Sequence, residues 1–178
     1  MSRTLAIFMI AALAALTASA TVLLTRDDAL ARAFPDAEVK RIEVFLTKDQ
    51  IVRAQNAAGT KLDKKIVYRY EAYVDDQLAG VAYFDAHRVR TLPEILMIAV
   101  TPAGALKEIE VLSFKEPMEY LPKRRWYEQF LTQKLDQDLR IGRDIDGVVG
   151  ATLTARATSQ AVRRTLAIHS VLEPLSTP

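Results

Sequence analysis

The chain of 178 residues is half hydrophobic, which suffices for one core-bearing domain plus appendages and leaves no room for a second large one. Its 24 Lys+Arg against 22 Asp+Glu give a net charge of only +2, and the longest basic run is Lys123-Arg124-Arg125, so composition gives no support for a nucleic-acid partner. The absence of cysteine excludes disulfides, thiol catalysis, Cys-ligated iron–sulfur clusters and covalent c-type haem; redox chemistry in this chain would need another cofactor.

From Leu5 to Leu24 every residue is apolar or small, with Arg3 before the run and Arg26-Asp27-Asp28 after it. That is about the 20 residues a bilayer-spanning helix needs. Ala18-Ser19-Ala20 would serve as a signal-peptide cleavage site, but the run continues through Val22-Leu23-Leu24, beyond the roughly 7–15 residues of a signal h-region, which favours an uncleaved anchor. The expected organisation is a membrane anchor or signal peptide over 1–25 and an exported domain over 26–178. The protein is then single-pass in the inner (cytoplasmic) membrane, with Arg3 inside and the domain on the periplasmic or extracytoplasmic side.

Asp27 to Phe34 reads as a short helix stopped by Pro35, and Arg41 to Leu46 as a strand with Ile42, Val44 and Leu46 on one face. Thr47 and Gln50 have capping-box spacing at the start of a helix that Gly59 ends. Ile66–Val74, with Tyr68, Tyr70, Ala72 and Val74 alternating, and Leu78–Phe84 form a hairpin about Asp75-Asp76-Gln77. Ile95–Val100 is apolar on both faces and suits a central strand, and Thr101-Pro-Ala-Gly104 turns into Lys107–Phe114. Pro122 opens a helix carrying Trp126, Phe130 and Leu131, and a final helix spans about Thr152 to Val171. The fold class is α+β, an antiparallel sheet flanked by helices, with an N-terminal transmembrane helix.

Side-chain catalysis finds no support. His87 and His169, the only histidines, stand in no ligand-like cluster with carboxylates, which argues against a zinc site, bis-His haem or a Ser-His-Asp set, and His169 reads as a helix-surface or interface residue. Trp126, Tyr127 and Phe130 could wall a flat cofactor, but aromatics at helical spacing are more often core, and the core reading is preferred.

The most informative stretch is Asp144-Ile-Asp-Gly-Val-Val-Gly-Ala-Thr-Leu-Thr154, a Gly-containing loop leading into the last helix. Gly150 and Ala151 let a ligand approach the backbone, and the helix start offers unpaired N–H groups and the positive dipole end, which together hold a phosphate. Of the Thr152 and Thr154 hydroxyls, one can contact that phosphate while the other caps. The same residues also read as an ordinary turn and N-cap.

The order Asp146, three residues, Gly150-Ala151-Thr152, one residue, Thr154 resembles the flavinylation motif of the FMN-binding domain family, found in FMN subunits of the Rnf complex and the sodium-pumping NADH:quinone oxidoreductase. The N-terminal anchor, Phe34-Pro35-Asp36-Ala37 and Leu78–Phe84 agree with that family. The resemblance implies FMN joined covalently by a phosphoester to Thr152, with Asp146 recognised by a magnesium-dependent flavin transferase. Two departures stand out. Val149 replaces the Ser or Thr that usually precedes Gly-Ala, removing a hydroxyl from the phosphate end, and Lys115-Glu116-Pro117-Met118 replaces Glu-Thr-Pro-Gly. The implied function is an electron-transfer component of a membrane redox complex rather than a stand-alone enzyme. The alternatives are an anchored adaptor or assembly domain without covalent flavin, or a domain binding FMN non-covalently.

Overall fold

The structure, a computed structural model, describes residues 21–172. One six-stranded sheet is antiparallel throughout. Its strands are β1 (Thr21–Val22), β2 (Glu38–Phe45), β3 (Ile66–Val74), β4 (Gln77–Arg88), β5 (Pro93–Val100) and β6 (Leu106–Phe114), in the order β1-β6-β5-β4-β3-β2. Among the described residues the α-helices are α1 (Arg26–Ala33), α2 (Lys48–Ala58), a single turn α3 (Arg124–Tyr127) and α4 (Thr152–Val171). The α+β antiparallel expectation holds.

Residues 5–20 of the expected membrane segment lie outside the described residues. Its last four do not continue a helix: Thr21 and Val22 pair with Phe114 and Ser113 of β6, and Leu24 packs against the core. Among the described residues no helix is long and apolar enough to cross a membrane.

Local chemistry explains the boundaries. The Thr47 hydroxyl accepts from the Gln50 amide at 3.1 Å while the Gln50 side chain accepts from the Thr47 amide at 2.9 Å, completing the expected capping box of α2. Gly59 ends α2 in the left-handed conformation, φ +66°. Asp75 and Asp76 both have positive φ, 50° and 60°, the conformation of a two-residue hairpin turn whose twist matches its strands. The helix expected from Pro122 is shorter than its spacing suggested. α3 passes into a 3-10 turn over Glu128–Phe130, and Leu131 is exposed.

Two cores sandwich the sheet. On one face α2 and α4 cover Val67, Val81, Tyr83, Leu96, Ile98 and Val100. On the other, α1 covers Ala72, Ala82, Met97 and Ala99, with Phe34 lying on Gly80. A Cβ at Gly80 would meet that ring at 2.6 Å, so only glycine lets α1 seat here. β5 is buried on both faces, as its unbroken apolar run suggested. In β3 the face with Tyr68 and Tyr70 is the more open one. Charged Arg69 and Glu71 occupy the buried face, where they pair and Tyr73 donates to Glu71 at 2.7 Å. Alternation gave the period but not which face turns inward, because Arg69 and Glu71 offset each other's charge on the inner face.

Candidate functional site

The loop before α4 is fixed from outside. The Trp126 indole N–H donates to the Asp146 carbonyl at 2.8 Å, and the Asp146 amide donates to the Gln129 side-chain oxygen at 2.9 Å. Trp126 itself is core, packed edge-on against Tyr127 and Phe130, so the preferred reading of the aromatic group stands. With both backbone groups tied down, the Asp146 carboxylate is left exposed to solvent.

Gly150 has φ +83°, a conformation in which a side chain is strained although nothing lies within 4 Å of a Cβ there. The glycine therefore serves the backbone turn. It delivers the chain to Ala151, the N-cap of α4, where no side chain caps the helix. The first-turn amides of a 20-residue helix are consequently left for water or a ligand, with the dipole favouring an anion.

The two threonines take different roles from those their spacing suggested. Thr154 is buried, and its hydroxyl donates to the Tyr120 carbonyl at 2.7 Å, tying α4 to the segment after β6. Thr152 is exposed, with only a long 3.3 Å contact from its hydroxyl to the Val148 carbonyl. Neither caps the helix, and Thr152 is the hydroxyl open to chemistry. Val149, where the resemblance leads one to expect a Ser or Thr, points fully into solvent.

Gly150, Ala151, Thr152 and Thr154 line a cavity of about 210 Å³ together with Val89, Arg90, Glu116, Tyr120 and Leu153. Asp146 is not among the lining residues. Glu116 is buried, and its Oε1 accepts amides of Thr91 and Leu92 at 2.7 and 2.8 Å and of Arg90 at 3.3 Å. The backbone bonds from Leu92 and Thr91 hold this carboxyl below its ordinary value, against the opposing effect of burial. Oε2 makes no hydrogen bond among the described residues and can accept one from a ligand. Arg90, Val89 and Tyr120 were not singled out in sequence as site residues: Val89 and Arg90 come from the β4–β5 turn that bonds Glu116, and Tyr120 from the turn after β6 that the Thr154 hydroxyl ties to α4, and no local pattern signals either.

The groups present suit a phosphorylated, flat cofactor. The uncapped helix start and Arg90 favour the phosphate, and Val89, Tyr120 and Leu153 offer apolar surface. The volume falls below the roughly 300–1,000 Å³ of sites that engulf a ligand, so a large ring would lie partly outside.

His87 corrects the sequence reading. Its Nδ1 lies 2.9 Å from Asp85 Oδ1 and its Nε2 3.0 Å from Glu94 Oε2. Arg164 of α4 donates to Asp85 at 3.0 Å and Thr158 to Glu94 at 3.4 Å. Burial works against charge on His87, yet the bonds to Asp85 and Glu94 raise its pKa overall. His87 therefore does stand among carboxylates, which adjacent strands bring together from positions seven apart. No group of His, Asp and Glu among the described residues is arranged to hold a metal ion. His169, expected at the surface, is buried and shares a 3.0 Å hydrogen bond with the Tyr83 hydroxyl.

The model of the FMN-binding domain family matches residues 94–167. The match takes in Glu94, Glu116, Asp146 and the Gly150-Ala151-Thr152 turn and leaves out Val89 and Arg90. It supports an FMN-binding domain, and with it flavin binding, over this stretch. No curated protein matches the chain.

Proposed function

We propose that Thr152 carries FMN through a phosphoester and that the protein relays electrons within a membrane-associated redox chain. The observation that carries this reading is the exposed Thr152 hydroxyl, on the uncapped first turn of α4 and at the rim of the cavity floored by Glu116. When bound, the flavin supplies one- and two-electron transfer, which no side chain of this chain offers.

Each residue has a distinct task. The first-turn amides of α4 and Arg90 neutralise the phosphodiester. Gly150 makes the turn that presents Thr152. Ala151 keeps the approach open, and Thr154 fixes α4 to Tyr120 beneath it. Glu116 Oε2 would accept from a hydroxyl or imide N–H of the cofactor, and Val89, Tyr120 and Leu153 would offer apolar surface to its ring. The exposed Asp146 carboxylate faces the maturing flavin transferase rather than the bound cofactor, which agrees with its absence from the cavity lining. Residues 5–24, as far as they precede β1, tether the domain to the inner membrane on the periplasmic side, beside partner subunits of the redox complex.

The deciding experiment is denaturing electrophoresis of protein made in a host with flavin transferase, read by in-gel flavin fluorescence and by a mass increase of one FMN less water. Fluorescence that persists in the wild type and vanishes in Thr152→Ala supports the reading. Flavin released by denaturation points to non-covalent FMN, and protein without flavin under these conditions returns Thr152 to a purely structural role in an adaptor.

A further inference from the structure

A second cavity, of about 290 Å³, shares no lining residue with the first. Arg140, Arg156 and Arg163 line it together with Thr60 and Ser159, and no carboxylate does. Arg156, Ser159 and Arg163 fall at i, i+3 and i+7 on α4, one stripe of the helix, while Arg140 comes from the loop that precedes the Asp146 turn.

The three guanidinium groups are not alike. Arg163 is locked: Nε donates to the Ala58 carbonyl at 2.8 Å, Nη1 to the Asp136 and Leu139 carbonyls at 2.6 and 3.3 Å, and Nη2 to the Ala57 carbonyl at 3.3 Å. Those acceptors are neutral, so they orient the charge without cancelling it. Arg140 and Arg156 make no side-chain hydrogen bond or ion pair among the described residues. Elsewhere in the fold Arg53, Arg124, Arg143 and Arg164 each find a carboxylate. Three positive charges around one polar cavity repel one another unless something negative lies between them. Ser159, 3 % exposed, adds a hydroxyl to the wall.

We infer that this cavity is an oxyanion site that takes a phosphate group, held by the Arg140 and Arg156 forks over the fixed charge of Arg163. A planar guanidinium matches the oxygens of a phosphate two at a time, and a dianion balances three cations better than a carboxylate does. The phosphate has two possible sources, free inorganic phosphate or the phosphate end of a nucleotide. The site needs no flavin on Thr152.

The test is calorimetric titration of inorganic phosphate into the detergent-solubilised full chain carrying Thr152→Ala, with ionic strength fixed by chloride. That background has no attached flavin, so the outcome is independent of the reading of Thr152. The expected result is saturable one-site binding that weakens at least about tenfold in Arg156→Ala and in Arg140→Ala, two exposed residues whose removal leaves the thermal melt unchanged. Arg156→Lys should fall between, since an ammonium keeps the charge and loses the fork. Adenosine monophosphate binding tighter than phosphate identifies a nucleotide source, and equal binding identifies the free anion. Absence of saturable binding, affinity in both alanine variants equal to that of the parent Thr152→Ala protein, or acetate binding as well as phosphate would each overturn the inference.

Discussion

The indole Nε1 of Trp126 and the carbonyl of Asp146 are joined at 2.8 Å across twenty residues of sequence. Through this bond the aromatic core sets the position of the loop that leads into α4. Trp126→Phe keeps most of the ring packing and orphans the carbonyl, and it should lower unfolding stability by about 1 kcal/mol. Flavin incorporation should slow as the loop loses its register. Urea unfolding together with a time course of in-gel fluorescence measures both, and unaltered incorporation would detach the loop's position from maturation.

The two threonines of α4 should separate stability from attachment. Thr154→Val removes the 2.7 Å bond to Tyr120 and leaves a carbonyl without its partner, a loss of about 1–2 kcal/mol with flavin still attached. Thr152→Ala alters an exposed position and should stay within about 0.5 kcal/mol of wild type while abolishing attachment. Thermal melts and denaturing-gel fluorescence on the same preparations distinguish this from the reverse pattern.

Gly150→Ala forces a side chain into φ +83° with no steric neighbour to blame. The expected loss is about 1–2 kcal/mol, all of it conformational. If the flavin phosphate lies against this turn, attachment should fall more in Gly150→Ala than stability alone explains. Comparing Gly150→Ala with Gly150→Asn, a residue that tolerates left-handed backbone, isolates the backbone term.

The cluster around His87 predicts a pH profile. The raised pKa of His87 means its stabilising charge is fully present below its ordinary value of 6.5 and is lost as pH rises through the higher folded value. Asp85 behaves oppositely. Burial alone would raise its pKa, but the His87 bond and the Arg164 charge hold it below its ordinary 3.8, so its contribution is present above that value and is lost as pH falls through the lower folded one. Stability should thus decline on the alkaline side of 6.5, and His87→Gln should flatten that decline and also weaken the acid limb, since the His87 bond is the first cause that holds Asp85 down. Denaturant midpoints from about pH 2 to 9 measure both limbs; an unchanged alkaline slope in His87→Gln would remove His87 as its source.

Features encoded within a few residues were legible before folding. The Thr47 to Gln50 capping box, Gly59, the Asp75-Asp76 turn, the two-faced apolar strand at Ile95–Val100 and the helix from Thr152 to Val171 each depend on local periodicity or on one side chain bonding a near neighbour. The turn at Gly150 was legible for the same reason. What escaped depends on register between distant segments. Seven residues and a strand reversal separate His87 from Glu94, and nothing in either tripeptide foretells that the pairing of β4 with β5 sets them face to face. The same holds for Arg90 and Tyr120, brought to Thr152 by strands far from it, and for Arg69 and Glu71, whose mutual pairing let charge occupy the inner face.

The short pairing of Thr21 with Phe114 places the start of the described chain at a particular end of the sheet. Phe114 stands two residues before Glu116, so the strand by which the chain joins the sheet and the floor of the cavity at Thr152 lie at one corner of the fold. A tether upstream of β1, as proposed above, would set the height and heading of that cavity, much as a short mast sets a lamp. Inserting flexible residues just before Thr21 would let the corner swing without altering the site itself. Loss of electron transfer with full flavin content in such an insertion would show that the partner approaches from one direction only.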